Sequence, residues 1–153
     1  MCASSGRTEH SEYLKSLGAQ RIIDRSELSE KGRPLGKEVW AGAIDSVGSF
    51  TLANICASIK YGGTVAACGL AQGFDLPATV MPFILRGINL IGIDSVYCPL
   101  PNRIEAWNRL VADLDINKLE KMISIIPLNR VMESAGDMLT GKSFGRIIVD
   151  VNA

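Results

Sequence analysis

The chain has 153 residues, enough for one domain with a buried core. Its 16 Lys and Arg balance 16 Asp and Glu, so no global field recruits nucleic acid or an acidic surface, and no apolar run approaches the roughly twenty residues a membrane helix needs. One histidine and the scattered Cys2, Cys56, Cys68 and Cys98, with no C-x-x-C pair, lack the clustered ligands zinc requires.

The cysteines read as small apolar residues in a reducing cytosol. Cys68 and Cys98, at expected strand ends, are the candidates for reactive thiols. The N-terminus has no basic stretch followed by an apolar core, so no signal peptide is expected and the location is read as cytoplasmic.

In chain order, Met1 to Ala3 reads as the tail of a strand running into the turn Ser4-Ser5-Gly6-Arg7. A helix is expected from about Glu9 to Leu17, with Gly18 as a left-handed cap. Arg21 to Ile23 is a short strand, and the polar stretch from Asp24 to Glu38 reads as loop with one helical turn near Glu27. Val39 to Ile44 is an apolar run that stops at Asp45-Ser46-Val47-Gly48. Leu52, Ile55, Cys56 and Ile59 then follow the i, i+3, i+4, i+7 spacing of a helix with one buried face. Gly62-Gly63 breaks the chain, and Thr64 to Cys68 is a second strand ending at Gly69. Strand, helix and strand at this spacing form a βαβ unit and force a parallel pair. Neither strand alternates, so both faces are expected to be covered.

Further on, Thr79 to Arg86 reads as a short helix limited by Pro82, and Ile88 to Ile93 as a strand ending at Asp94-Ser95. Pro101 opens an amphipathic helix with Ile104, Trp107, Leu110, Val111 and Leu114 as its stripe. A weaker helix covers Lys118 to Met122. Ile125 to Leu128 is a strand, Val131 to Leu139 a helix and Arg146 to Val151 a last strand. The class is α/β, and in such sheets ligands gather where parallel strands end in loops.

Those loops carry the chemistry. An acidic side chain after the second strand of a doubly wound sheet accepts from both ribose hydroxyls and selects NAD. Ser4-Ser5-Gly6-Arg7 offers hydroxyls, a glycine and a cation instead, a set suited to a phosphate dianion. The same residues also suit a plain helix cap with Arg7 in solvent. Asp45 is read as a strand-end carboxylate holding nearby backbone amides rather than as a catalytic group. His10, at the start of a helix with no Cys or carboxylate cluster nearby in sequence, reads as a solvent-facing residue, Tyr97 reads as an aromatic packed against Pro99 rather than a proton donor, and no nucleophile–base–orienter set is visible. An S-adenosylmethionine-dependent methyltransferase would want an acid after the second strand, and Ser4 to Arg7 supplies none.

Together these pieces resemble the medium-chain dehydrogenase/reductases. Ser5-Gly6-Arg7, followed by Glu12-Tyr13-Leu14-Lys15-Ser16-Leu17-Gly18-Ala19, is similar to their second βα unit. The runs Val39 to Gly48, Tyr61-Gly62-Gly63, Ala67 to Leu70, Pro82 to Gly87 and Gly92 to Val96 narrow this to the zinc-free quinone oxidoreductase or acrylyl-CoA reductase type. The likeness runs from about Cys2 to Val151. It implies a Rossmann-like doubly wound parallel sheet, NADPH as cofactor, no metal, and hydride transfer to a quinone or an activated (enone or acrylyl-thioester) double bond.

By position, the resemblance gives Ser4, Ser5 and Arg7 the 2′-phosphate, and puts Ser46, Val47 and Gly48 beside the adenosine and pyrophosphate. Cys68, Gly69 and Leu70, with Ile93, Asp94 and Ser95, would flank the nicotinamide ribose and carboxamide. It implies a homodimer through the Ile88 to Val96 strand, whose open edge would otherwise invite aggregation, and no nucleic-acid or membrane partner. It also implies a partial dinucleotide-binding domain over 1–123 and a segment over 124–153 that returns toward an absent catalytic domain. No catalytic residue is assigned.

The family's first strand, glycine-rich turn and helix have no counterpart here, so the chain is expected to be the C-terminal part of a longer enzyme, inactive alone. In the strand order 3-2-1-4-5-6 that leaves a central gap. Three fillers are expected: direct pairing of strands two and four, a repositioned Arg146 to Val151, or an element from a second chain. The competing reading is a non-catalytic α/β nucleotide-binding or oligomerisation module.

Overall fold

Every strand pairing in the computed structural model, which describes residues 1–153, is parallel. Parallel neighbours need crossovers, and the helices supply them. The chain divides into two units, Met1–Cys98 and Pro99–Ala153.

In the first unit, β1 (Cys2–Ser5) leads through a 3-10 turn and α1 (Ser11–Ser16) to β2 (Arg21–Asp24). The two strands form their own sheet, in register from Cys2↔Arg21 to Ser5↔Asp24. The one expected helical turn is α2 (Ser26–Ser29). The central unit follows as β3 (Trp40–Asp45), α3 (Ser49–Ser58) and β4 (Ile59–Ala67), then α4 (Met81–Arg86) and β5 (Asn89–Gly92). Its sheet order is β3-β4-β5. Gly62-Gly63 does not end a segment, as the sequence predicts, but is absorbed as a bulge. The register jumps between Trp40↔Ile59 and Gly42↔Thr64, with Gly62 at φ +69°. Pro82 starts α4 rather than kinking it.

The core lies on one face of this sheet. Leu52, Ile55 and Cys56 of α3 pack against Ile59 and Val65 of β4 and Ile88, with Ala43, Ala67, Phe83 and Leu90 around them. The opposite face is open, with Ile44 83% exposed and Ile91 49%. The expectation of cover on both faces is therefore corrected. The strands carry apolar groups on both sides, but α3 and α4 pack on one. Of the cysteines only Cys56 is fully buried, and desolvation, then the nearby Asp45 charge, pushes its thiol up to about 11.

The gap expectation is also corrected in two of its three forms. β1 pairs only with β2, β3 pairs only with β4, and the last strand pairs within its own unit. Helix packing, not strand pairing, sets the position of the first sheet. Asn54 of α3 donates through Nδ2 to Leu28 O (2.8 Å) and Glu30 O (2.7 Å), which pins the segment after β2 and keeps β1 from sliding onto β3.

The second unit holds α5 (Leu100–Asp113), α6 (Ile116–Glu120), β6 (Ile123–Pro127), α7 (Val131–Leu139) and β7 (Arg146–Asp150). β6 and β7 are paired in parallel around α7, so β7 has its own partner. The α5 stripe forms where the spacing puts it, but Trp107 is 62% and Val111 78% exposed.

One side chain ties together the end of the first unit where β4 begins. Arg86, whose side chain is 11% exposed, donates to Ala57 O (2.9 Å), Ile59 O (3.1 Å) and Gly36 O (2.5 Å), with Glu38 3.5 Å away. Arg86→Met strips these carbonyls of a charged donor and should lower unfolding free energy by roughly 2–3 kcal/mol, measured as a shift in denaturant midpoint. An unchanged midpoint would show that the clamp is redundant.

Candidate functional site

The turns at the C-terminal ends of β1 to β5 are where an open parallel sheet presents backbone to a ligand. After β1, Arg7 N–H donates to Ser5 Oγ (3.1 Å), so Ser5 shapes its own turn. Arg25 N–H donates to Ser5 O (3.1 Å), which extends the β1–β2 ladder by one step. That step lays the Arg25 guanidinium over Gly6. A Cβ at Gly6 would stand 2.6 Å from Nη2 and 2.7 Å from Nε. Arg25 lies in the stretch the sequence reading treats as plain loop. Two arginines, Arg7 and Arg25, thus belong to the end of the first sheet. Asp24 is there too, but its carboxylate accepts from Ser26 Oγ (2.7 Å) and Ser26 N (2.8 Å). The Ser26 hydroxyl, then the Ser26 amide, hold its carboxyl below the usual carboxylate range, with Arg25 adding a smaller effect.

After β3, Asp45 is 2% exposed and accepts from Gly48 N (2.8 Å) and Val47 N (3.2 Å). This is the amide-holding role expected of it. The backbone then takes two successive left-handed steps, Gly48 at φ +75° and Ser49 at φ +47°. At Gly48 a Cβ would meet Gly73 O at 2.3 Å. The loop after β4 runs beside this turn. Cys68 N donates to Asp45 O (2.7 Å), Ala71 N to Ser46 O (3.3 Å) and Gln72 N to Val47 O (2.8 Å).

Ser46, Val47 and Gly48 therefore lie directly against Cys68, Gly69 and Leu70, and Gly69 has room for no Cβ, which would stand 2.5 Å from Ser46 O. Ile93 joins the end of β4 through Ile93 N to Ala67 O (2.9 Å). Asp94 turns inward on its own loop, accepting from Val96 N (2.8 Å) and Tyr97 N (2.9 Å), with Ser95 between them.

This geometry limits what the turns can do. The N–H groups of Val47 and Gly48 are committed to Asp45. At the start of α3, Ser49 N donates to Asp75 O (3.1 Å) and Thr51 N to Gln72 Oε1 (3.2 Å). Helix N-termini bind anions through free N–H groups, and those of Ser49 and Thr51 are taken. Ser46 to Gly48 can meet a ligand by shape and carbonyls, not by cradling phosphate.

The cationic part of the site is elsewhere. A cavity of about 490 Å³ lies between Gly6, Asp24, Arg25 and Ser26 on one side and Val47, Thr51 and Gln72 on the other. It brings the ends of the two sheets of the first unit to one space. Gly6 lines it; Ser4, an exposed member of β1, Ser5 and Arg7 do not.

Residues 2–113 match the family model described as zinc-binding dehydrogenase. The chain belongs to that family. Despite the name, no three His, Cys, Asp or Glu side chains converge to hold a metal, so the residues present do not fit a zinc site and no zinc step is assigned to them.

Among relatives of this chain, acrylyl-CoA reductase AcuI of Ruegeria pomeroyi is 50% identical over 100% of the chain and 47% of its own length. The yhdH oxidoreductase of Salmonella enterica, solved with NADP, is 49% identical at TM-score 0.94 over 98% of this chain and 46% of that one. Bacillus subtilis yhfP, solved with NAD, is 41% identical at TM-score 0.92 over 98% of this chain and 46% of that one. The chain thus spans about half the length of the relatives it matches, corresponding to their C-terminal part. The α/β class and the family likeness carried by the motifs are borne out.

The turn ladder makes a direct forecast. Gly48→Ala forces a Cβ onto a left-handed backbone, worth about 1–2 kcal/mol, and against Gly73 O. It should lower thermal stability and speed hydrogen exchange at the Gln72 amide; an unaltered amide would mean that the loop does not depend on this contact.

Proposed function

We propose that the chain is the nucleotide-binding part of an NADPH-dependent oxidoreductase that reduces an activated double bond, an acrylyl thioester before a quinone. The observation that carries this reading is Arg25 after β2, laid over Gly6, with Arg7 in the turn after β1, where an NAD-selective site would hold an acid. Arg25 borders a cavity of about 490 Å³, and Gly6 leaves its guanidinium space. The relatives named acrylyl-CoA reductase and the neighbour solved with NADP support it.

When bound, NADPH supplies the hydride. The residues of this chain hold and orient it: Arg25, with Arg7, Ser4 and Ser5, would take the 2′-phosphate. Ser46, Val47 and Gly48 would form a flat wall, offering shape where their amides are already engaged. Cys68, Gly69 and Leu70, with Ile93, Asp94 and Ser95, would border the nicotinamide end. No side chain here is assigned a proton-transfer role, so the remaining half of the relatives' length is read as bringing the substrate and the other wall, with 124–153 returning toward it. That half is also read as filling the position between β1 and β3.

The open edge of β5, with Ile91 49% and Ile93 50% exposed, supports a homodimer through Ile88 to Val96. Four free cysteines support a reducing, cytoplasmic setting.

Arg25→Ala and Arg7→Ala test the reading. A charge-assisted bond at an exposed edge is worth about 1.5 kcal/mol, or roughly tenfold in affinity. Titrated by nicotinamide fluorescence, each variant should bind NADPH about tenfold more weakly while NADH binding stays within about twofold. Equal weakening of both would remove the 2′-phosphate assignment.

A further inference from the structure

We propose that Gln72 is a positioning residue, a strut that sets the spacing of the two cavity walls and with it the preference for a 2′-phosphorylated nucleotide. This rests on the nucleotide reading above and adds a determinant of its selectivity.

No strand hydrogen bond joins the β1–β2 sheet to the β3–β4–β5 sheet. The cavity therefore has two walls with no shared ladder, Arg25 and Ser26 on one, Val47 and Thr51 on the other. Gln72 reaches across. Its backbone N–H is fixed to Val47 O (2.8 Å), so the side chain starts from an anchored point. Oε1 accepts from Thr51 Oγ1 (3.0 Å) and Thr51 N (3.2 Å), acting as a cap on α3 from 21 positions away. Nε2 donates to Ser29 O (2.9 Å), the last residue of α2. The amide orientation is dictated by its partners, since a flip would set oxygen against oxygen and nitrogen against an N–H.

The span needs one group that accepts at one wall and donates at the other. A carboxylate cannot donate, a thioether cannot donate and accepts only weakly, and asparagine is one methylene short. α2 is a single turn, with Arg25 at its start and Ser29 at its end. Ser29 closes the turn that Arg25 opens, so a tie on Ser29 acts on the wall that carries the Arg25 side chain. Asn54 ties the same segment to α3 from behind through Leu28 O and Glu30 O. Gln72 is the tie on the cavity side, and with Asn54 it sets the distance between the cation wall and the Val47 wall.

The test uses the chain as it stands, with probes that need only the adenosine and 2′-phosphate part of the site. Adenosine 2′,5′-bisphosphate and adenosine 5′-monophosphate are titrated into the wild type, Gln72→Met and Gln72→Asn, with thermal midpoint and hydrogen exchange at Arg25 to Ser29 measured alongside. The wild type should prefer the bisphosphate. In Gln72→Met the ratio of the two affinities should fall at least about threefold, the scale of one neutral hydrogen bond, and the α2 amides should exchange faster. A lower midpoint with both ligands weakened equally, or an unchanged ratio, overturns the proposal and leaves the nucleotide reading intact. A wild type that does not prefer the bisphosphate removes the nucleotide reading and the proposal with it. Should Gln72→Met fail to fold, Gln72→Asn decides by the same ratio.

Discussion

A buried carboxylate organises the central rim. Asp45 sits at the end of β3, 2% exposed, with its side chain bound to Val47 and Gly48 amides and its carbonyl bound to Cys68 N. A polar group so deep in the fold is tolerable only with such donors around it. The two left-handed steps at Gly48 and Ser49, the parallel run of the Cys68 to Asp75 loop and the capped start of α3 all follow from where Asp45 holds the turn. It also decides the chemistry of the rim by negation: amides that serve a buried carboxylate are not available to a phosphate.

The positive charge of the site therefore comes from the other sheet. Arg7 follows β1 by two residues and Arg25 follows β2 directly, and the parallel register Ser5↔Asp24 sets Arg25 beside Gly6, the residue before Arg7. Asp24 accepts from Ser26 and keeps its negative charge beside Arg25, so this sheet end carries two cations against one carboxylate. The site divides its labour: one sheet presents flat backbone, the other presents cations. The strength of any 2′-phosphate preference then depends on how rigidly two sheets without a common ladder are held, which is the work of side chains such as Asn54.

Most of the elements were legible in the sequence because they rest on local rules. The spacing of Leu52, Ile55 and Cys56 marked α3, Gly18 marked a helix end, and the strand–helix–strand spacing made the sheets parallel. Arg25 was not legible as a loop residue. It becomes so once β1 and β2 are paired in register, since the residue after β2 must then stand beside the residue after β1. The exposed face of β3 was misread for a different reason. Periodicity reports which side chains are apolar, and Ile44 is, but it does not report what packs on them. Gly62-Gly63 was misread because a bulge and a break carry the same glycine signal. The spacing of the two sheets could not be read at all, being fixed by Asn54 and Gln72 contacts 21 or more positions apart in sequence.

The account comes down to whether the ends of the two sheets act as one nucleotide rim. Backbone chemical-shift mapping of the 153-residue chain during an NADPH titration tests this most directly. The account predicts perturbations confined to Gly6, Arg7, Arg25, Ser26, the Ser46 to Gly48 turn and the Cys68 to Gln72 loop. Perturbations centred instead on the smaller cavity beside Lys31 to Pro34, of about 100 Å³, or none at saturating NADPH, would contradict it.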